Sequence, residues 1–331
     1  MSLYPWQGEL WRQLTEARAR LPHALLLHGP AGIGKRELAL ELARWLLCQT
    51  PSAAGACGEC PSCQWFEQGG HPDFRLIEPA AESEPAEEGK KGGRRISVEQ
   101  VREVVEFLTL TSHQGGWRAV VLQPAESLGM AAANALLKTL EEPPPKTVFL
   151  LVSHQPRRLL PTILSRCRKL AVAGPEQAAA AAWLRDQAVV EPESLLAEAG
   201  GAPLLALDHA EPERLARRER FLAGLARPER EDLSALAGEY QQRVGEAWGW
   251  LIRWLCDVLL CRATGQVRYF IDHAEAIRQA ARGADDTRLW AAYRQILSDG
   301  RWLQHPLNGQ LLLESWLIRY AELGAELGTR R

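Results

Sequence analysis

An open parallel α/β sheet covered by helices on both faces, followed by a region that is helical alone, is the fold the sequence predicts. Three observations carry it. The short apolar run HALLLH (23–28) leads straight into the glycine-rich GPAGIGK and then into a helical period. Two further buried-type runs, RAVVLQ (118–123) and TVFLLVS (147–153), are separated by a helix-type stretch, and such alternation builds a parallel sheet. Beyond about residue 172 the strand signals stop.

The elements follow in order. From Lys35, KRELALELARWLL places Leu38, Leu42, Ala43, Leu46 and Leu47 at helical spacing. Strand, glycine loop and helix thus stand in the order a phosphate loop requires. Residues 48–63 are rich in turn formers and hold four cysteines, and DFRLIEP (73–79) reads as a strand. The stretch 80–95 is acidic first and basic second with no apolar anchor, the composition of a mobile surface loop. Ser97 and Gln100 form a capping box ahead of an amphipathic helix. MAAANALLKTLEE is a helix ended by Pro143, Pro144 and Pro145, and RRLLPTIL reads as another. Residues 176–207 are Ala- and Leu-rich helix broken at GGAP, and the chain from about 211 is helical with Gly and Pro breaks. The resulting division is 1–172, 173–210 and 211–331.

Lys plus Arg number 39 against 41 Asp plus Glu, a net charge of −2. That balance argues against coating nucleic acid by bulk charge and leaves a local basic face open. The most apolar stretch, WGWLIRWLCDVLL, is interrupted by Arg253 and Asp257, so no bilayer span is expected. The first residues, MSLYPWQGELW, lack the basic start and apolar core of a secretory signal. Seven cysteines without an export signal point to a cytoplasmic protein whose thiols stay reduced and serve as metal ligands or buried groups.

Gly29, Gly32, Gly34 and Lys35 match G-x-x-x-x-G-K. Small residues let successive backbone N–H groups face a phosphate, the lysine reaches the outer phosphates, and the helix N-terminus adds favourable partial charge. Hydrolysis needs more. The next position should carry a hydroxyl for magnesium, and here it is Arg36. Acidic residues belong at the end of the neighbouring strand, where Gln123 and Pro124 stand, with Glu126 further on as a turn cap. With two magnesium positions lost, autonomous ATP hydrolysis is not expected, while binding of ATP or ADP stays open.

Cys48, Cys57, Cys60 and Cys63 are spaced C-x8-C-x2-C-x2-C. Four thiolates with no open position fit a structural zinc rather than a catalytic one. His71 reads as a turn residue. Cys167, Cys256 and Cys261 read as packing, and so do Trp250 and Trp254, which share a helical spacing with Leu251, Leu255 and Val258. Ser153 ends a buried strand, where a polar side chain can face a nucleotide. Arg166 follows the RRLLPTIL stretch; a lone arginine is ordinarily a solvated or ion-paired side chain.

HALLLHGPAGIGK, the four-cysteine insert, AAANALLKTLEEPP and LPTILSRCR together resemble the bacterial clamp-loader subunits of the AAA+ class. The resemblance is dense to about residue 172 and fades after 210. It implies an AAA+ P-loop domain with a zinc module, then a small helical lid domain and an all-α collar domain for oligomerisation. It implies that Arg166 acts as a trans finger in a neighbour's ATP site and that Ser153 is the first sensor. The second-sensor arginine is replaced by Leu204 in GAPLLAL. The losses fit a non-hydrolysing member of the family. The implied partners are motor subunits and a clamp-opening subunit in a hetero-pentamer of the DNA polymerase III holoenzyme. A sliding clamp and primed DNA held by its phosphates would complete the assembly.

Overall fold

The computed structural model describes residues 3–79, 95–113, 115–283 and 285–323. Except for Arg95, the stretch read as a surface loop lies outside them. The chain divides into two compact units between Pro175 and Glu176.

In the first unit α1 (Gly8–Glu16) precedes β1 (Ala24–His28), α2 (Lys35–Leu47), α3 (Pro61–Glu67) and β2 (Phe74–Ile77). Then come α4 (Val98–Thr109), β3 (Arg118–Leu122), α5 (Met130–Glu141), β4 (Thr147–Ser153), α6 (Pro161–Leu164) and β5 (Arg168–Ala171). The five strands form one parallel sheet in the order β2-β3-β4-β1-β5. Each central strand is buried on both faces, which explains its unbroken apolar run. Ala24, Leu26, Val120, Leu122, Phe149 and Leu151 point into one core with α4, α5 and α6. The intervening residues face α2, whose Leu38 and Leu42 are fully buried. The carboxyl ends of β1 and β4 lie in register, His28 beside Ser153, so the glycine loop, Gln123 and Ser153 gather at one edge of the sheet, where ligands bind in folds of this kind.

One local expectation changes, and one strand has no sequence signal. RRLLPTIL is not one helix but a 3-10 turn at Pro156–Arg158 and a four-residue α6 that starts at Pro161, because the residue before a proline is pushed out of helical conformation. β5 has no apolar run: its Arg168, Lys169 and Ala171 are exposed on an edge strand.

Among the described residues the second unit is all helical: α7 (Gln177–Asp186), α8 (Pro192–Glu198), α9 (Pro203–His209), α10 (Pro212–Ala226), α11 (Leu233–Glu239), α12 (Val244–Thr264), α13 (Ala274–Gly283), α14 (Asp286–Asp299) and α15 (Gly309–Ala321). Leu184, Leu195, Leu196 and Ala206 centre the core of α7–α9. Trp250, Trp254, Phe221 and Trp316 centre the core of the later helices. Cys167 and Cys261 are buried and Cys256 is half-buried. Asp257, which interrupts the apolar run of α12, is itself buried. Its carboxylate accepts the backbone N–H groups of Arg268, Tyr269 and Phe270 at 2.8–3.0 Å, and so holds the chain that leaves the helix.

Candidate functional site

β1 delivers the chain into the glycine loop. Gly32 and Gly34 have φ of 71° and 85°, the left-handed region that glycine enters without cost. At Gly34 a Cβ would also run into the Tyr4 ring and come within 2.7 Å of Gln7 Nε2. The crowding comes from the turn Pro5–Gln7. Trp6 Nε1 donates to Ile33 O at 3.0 Å and Gln7 Nε2 to Gly34 O at 2.6 Å, while the Tyr4 and Trp6 rings stack at 4.9 Å. This latch on the loop has no counterpart in the motif; its only sequence sign is YPWQ, a proline-started turn carrying aromatic and amide donors.

Lys35 is buried. Its Nζ donates to Gly29 O at 2.9 Å and to Pro30 O. Burial pushes its ammonium down to about 8, with Glu126 and Glu37 opposing the shift, so the lysine is still cationic near neutral pH. Arg36 is paired with Glu78, just beyond β2, at 3.1 Å from Nε to Oε1. After β3, Gln123 presents a buried side-chain oxygen without a protein partner among the described residues. Glu126 is more than a turn cap: its Oε1 accepts the N–H groups of His154 at 2.9 Å and Gln155 at 3.1 Å, where the chain leaves β4. Ser153 is fully buried, and its Oγ has no partner among the described residues. His154 is held below its ordinary value by burial and by Lys35, against Glu126. The structure thus brings the loop, Lys35, Gln123, Glu126 and Ser153 to one sheet edge with no carboxylate directly ending β3.

The four cysteines converge. Cys48 follows α2, Cys60 caps α3 and Cys63 lies within it. All four sulfurs lie within 4.8 Å of one another, with Cys48–Cys60 and Cys57–Cys63 at 4.0 Å. A tetrahedral ion with sulfur bonds of about 2.3 Å needs sulfurs about 3.8 Å apart, so the cluster fits. Cys57 N–H points at Cys48 Sγ (3.3 Å) and Cys60 N–H at Cys57 Sγ (3.4 Å), the usual way thiolates are stabilised. Burial raises Cys48, and Cys63 to about 12, while hydrogen bonds from Thr50 and the backbone of Glu59 and Cys60 lower Cys57 to about 6. A divalent cation is what would bring all four to thiolates together. Arg44, buried beside Cys63 and ion-paired with Glu41 and Glu67, offsets part of that negative charge.

His71 is not a metal ligand. Both ring nitrogens are taken: Asp73 N–H donates to Nδ1 at 3.0 Å, and Nε2 lies 2.7 Å from Ser62 Oγ. Ser62 donates onward to Leu47 O at 2.7 Å. Ser62, held by the buried histidine, ties α3 to the end of α2, the two helices that border or carry Cys48, Cys60 and Cys63.

Arg166 follows α6 and is partly exposed. Its Nε donates to Glu141 Oε1 at 2.7 Å, and NH1 donates to Thr162 O at 2.9 Å and Ser165 Oγ at 3.3 Å. Leu204 lies half-buried in α9. Among the described residues no helix is long and apolar enough to cross a membrane.

Comparison with known proteins finds two family models. "DNA polymerase III, delta subunit" matches residues 6–176, and "DNA polymerase III, delta subunit, C terminal" matches 212–322. The chain is 40% identical to the DNA polymerase III subunit delta' of Pseudomonas aeruginosa, covering 97% of this chain and 98% of the relative. It is 41% identical to that of Yersinia pestis, over 99% and 98%. It is 33% identical to that of Escherichia coli, over 96% and 95%.

Proposed function

The chain belongs to the DNA polymerase III delta' subunit family, and on that premise we propose that it is the non-hydrolysing, stator-like arm of a clamp loader. The observation that carries this reading is the Arg36–Glu78 pair. The position that needs a hydroxyl for magnesium holds a guanidinium committed to a carboxylate. Gln123 and Pro124 remove the second magnesium partner, and Leu204 removes the second sensor. In this reading the Gly29–Lys35 loop is a packed scaffold, latched by Trp6 and Gln7, and ATP is hydrolysed elsewhere in the assembly.

The chain's own contribution to that hydrolysis is Arg166, supplied in trans to the γ-phosphate in a neighbouring motor subunit, where it stabilises charge on the transferring group. Residues 1–172 form the AAA+ domain, 173–210 the lid and 211–331 the collar that joins the hetero-pentamer with motor and clamp-opening subunits. The complex opens a sliding clamp and closes it on primed DNA, which it meets through phosphates. Cys48, Cys57, Cys60 and Cys63 hold a structural zinc that cross-links the chain without taking part in a reaction.

Two assays test the reading. The purified chain is expected to show no magnesium-dependent ATP turnover, and Arg166→Ala is expected to lower the DNA-stimulated ATPase of the reconstituted complex. Robust turnover by the isolated chain would make it a motor subunit and overturn the proposal.

A further inference from the structure

Arg166 is held almost entirely by its own unit. Its Nε and one NH2 hydrogen go to Glu141 Oε1, and NH1 is divided between Thr162 O and Ser165 Oγ. A guanidinium carries one hydrogen more than these contacts use, and it sits on NH2. The two residues are placed by the core beneath them. Glu141 ends α5 directly after the fully buried Leu140, and Arg166 stands between α6 and the buried Cys167. Leu140, Ile163 and Cys167 belong to one packed cluster. Backbone anchors are thus buried while both polar heads remain partly exposed, with 29% and 48% of their side-chain surface open. An exposed ion pair of this kind contributes little to folding. What it changes is the orientation of the guanidinium plane, because an arginine left alone retains most of its rotamer freedom.

We propose that Glu141 is a positioning residue for Arg166. It grips the Nε/NH2 edge through one oxygen and fixes the direction of the one remaining NH2 hydrogen, which is left for a phosphate of the adjoining subunit. The inference rests on the reading of Arg166 as a trans finger. Donors aimed in advance stabilise developing charge without reorganising, so the carboxylate acts through the arginine and touches no nucleotide.

The test uses the reconstituted complex with Glu141→Ala, Glu141→Gln, Arg166→Ala and the double variant, with assembly checked by gel filtration. Glu141→Ala is expected to lower kcat of the DNA-stimulated ATPase on the order of tenfold, leaving KM for ATP and assembly unchanged. Glu141→Gln keeps an acceptor oxygen and should recover part of the loss. The double variant should be no slower than Arg166→Ala. If Arg166→Ala slows the complex and Glu141→Ala does not, the positioning role falls and the finger stands. The same holds if the double variant is slower than Arg166→Ala, since Glu141 would then act by another route. If Arg166→Ala leaves the rate unchanged, the finger reading falls and the positioning role falls with it.

Discussion

Arg218 Nε lies 2.6 Å from Glu198 Oε2 inside the helical unit, and both side chains are sealed from solvent. The same carboxylate accepts from Arg214 NH2 at 2.6 Å and from Trp250 Nε1 at 3.1 Å, and Arg218 also reaches Asp272 at 2.8 Å. One residue of α8 thereby ties α10, α12 and the turn before α13. Burial raises the Glu198 carboxyl, but Arg214 and Arg218 outweigh it and hold the group below the ordinary carboxylate range.

Removing one member of a buried charge network leaves the others uncompensated, which costs about 3–5 kcal/mol. Glu198→Ala should therefore lower the unfolding free energy by that order, read as a fall in the urea midpoint far larger than that of an exposed Glu213→Ala control. Equal midpoints for the two variants would refute the network's role.

His209 adds a pH dependence. Burial lowers it to about 4, with Arg214 contributing and Glu198, 3.5 Å away, opposing. The contact with Glu198 does not prevail because the two arginines already neutralise that carboxylate, and Arg253 and Arg218 add to the repulsion. The folded state thus prefers neutral histidine, whereas the unfolded chain protonates near 6.5. Stability is complete above about pH 6.5 and is lost as pH falls toward 4, by roughly 3 kcal/mol for this group. Glu198 itself contributes further loss below the ordinary glutamate range, as the sign of its shift requires. His209→Gln should flatten the denaturation midpoint between pH 6.5 and 4.5; an unchanged slope would contradict the assignment.

The contrast between β1 and β5 shows what the sequence could reveal. Leu25, Leu26 and Leu27 are buried on both faces of the sheet, and an apolar run announces that. β5 offers Arg168 and Lys169 to solvent, so its membership of the sheet is decided by pairing with β1, which leaves no local pattern. The site divides the same way. The glycine loop and the cysteine cluster depend on spacing along the chain and were legible. The latch of Trp6 and Gln7 on Ile33 and Gly34, the Arg166–Glu141 pair and the Ser62–His71 pin join residues distant in sequence through side-chain donors. Only the fold brings them together.

Arg36→Ser restores the hydroxyl of the phosphate-loop motif, yet we expect no gain of ATP turnover by the purified chain. Gln123 and Pro124 still put no carboxylate at the end of β3, and on the proposed reading Leu204 supplies no sensor cation. Loss of the half-exposed pair with Glu78 should change stability by only about 0–1 kcal/mol. Magnesium-dependent turnover by this single variant would show that Arg36 alone silences the site.

Ser62 joins two of the cysteine-bearing segments through one hydroxyl. Standing immediately before Cys63, it donates to Leu47 O, immediately before Cys48, and accepts from His71 Nε2. The Asp73 N–H occupies the lone pair of Nδ1, which leaves Nε2 as the donor to Ser62, and burial pushes the imidazole below its ordinary value despite Asp73. In Ser62→Ala that donor and the Leu47 carbonyl lose their partner in a buried site, a cost of about 1–3 kcal/mol. The same change loosens Cys48 relative to Cys63. Partners bonded directly to metal ligands are worth about 10–100-fold in metal affinity; Ser62 braces the backbone beside Cys48 instead, so a smaller loss of affinity is expected. We expect wild-type chain to carry about one zinc per chain by elemental analysis, as a closed four-thiolate site requires. We expect Ser62→Ala to yield that zinc to a competing chelator at lower concentration, and Cys60→Ser to lose it outright. Loss of stability without any change in zinc release would make Ser62 a packing residue alone, and wild-type protein free of zinc would remove the metal from the module.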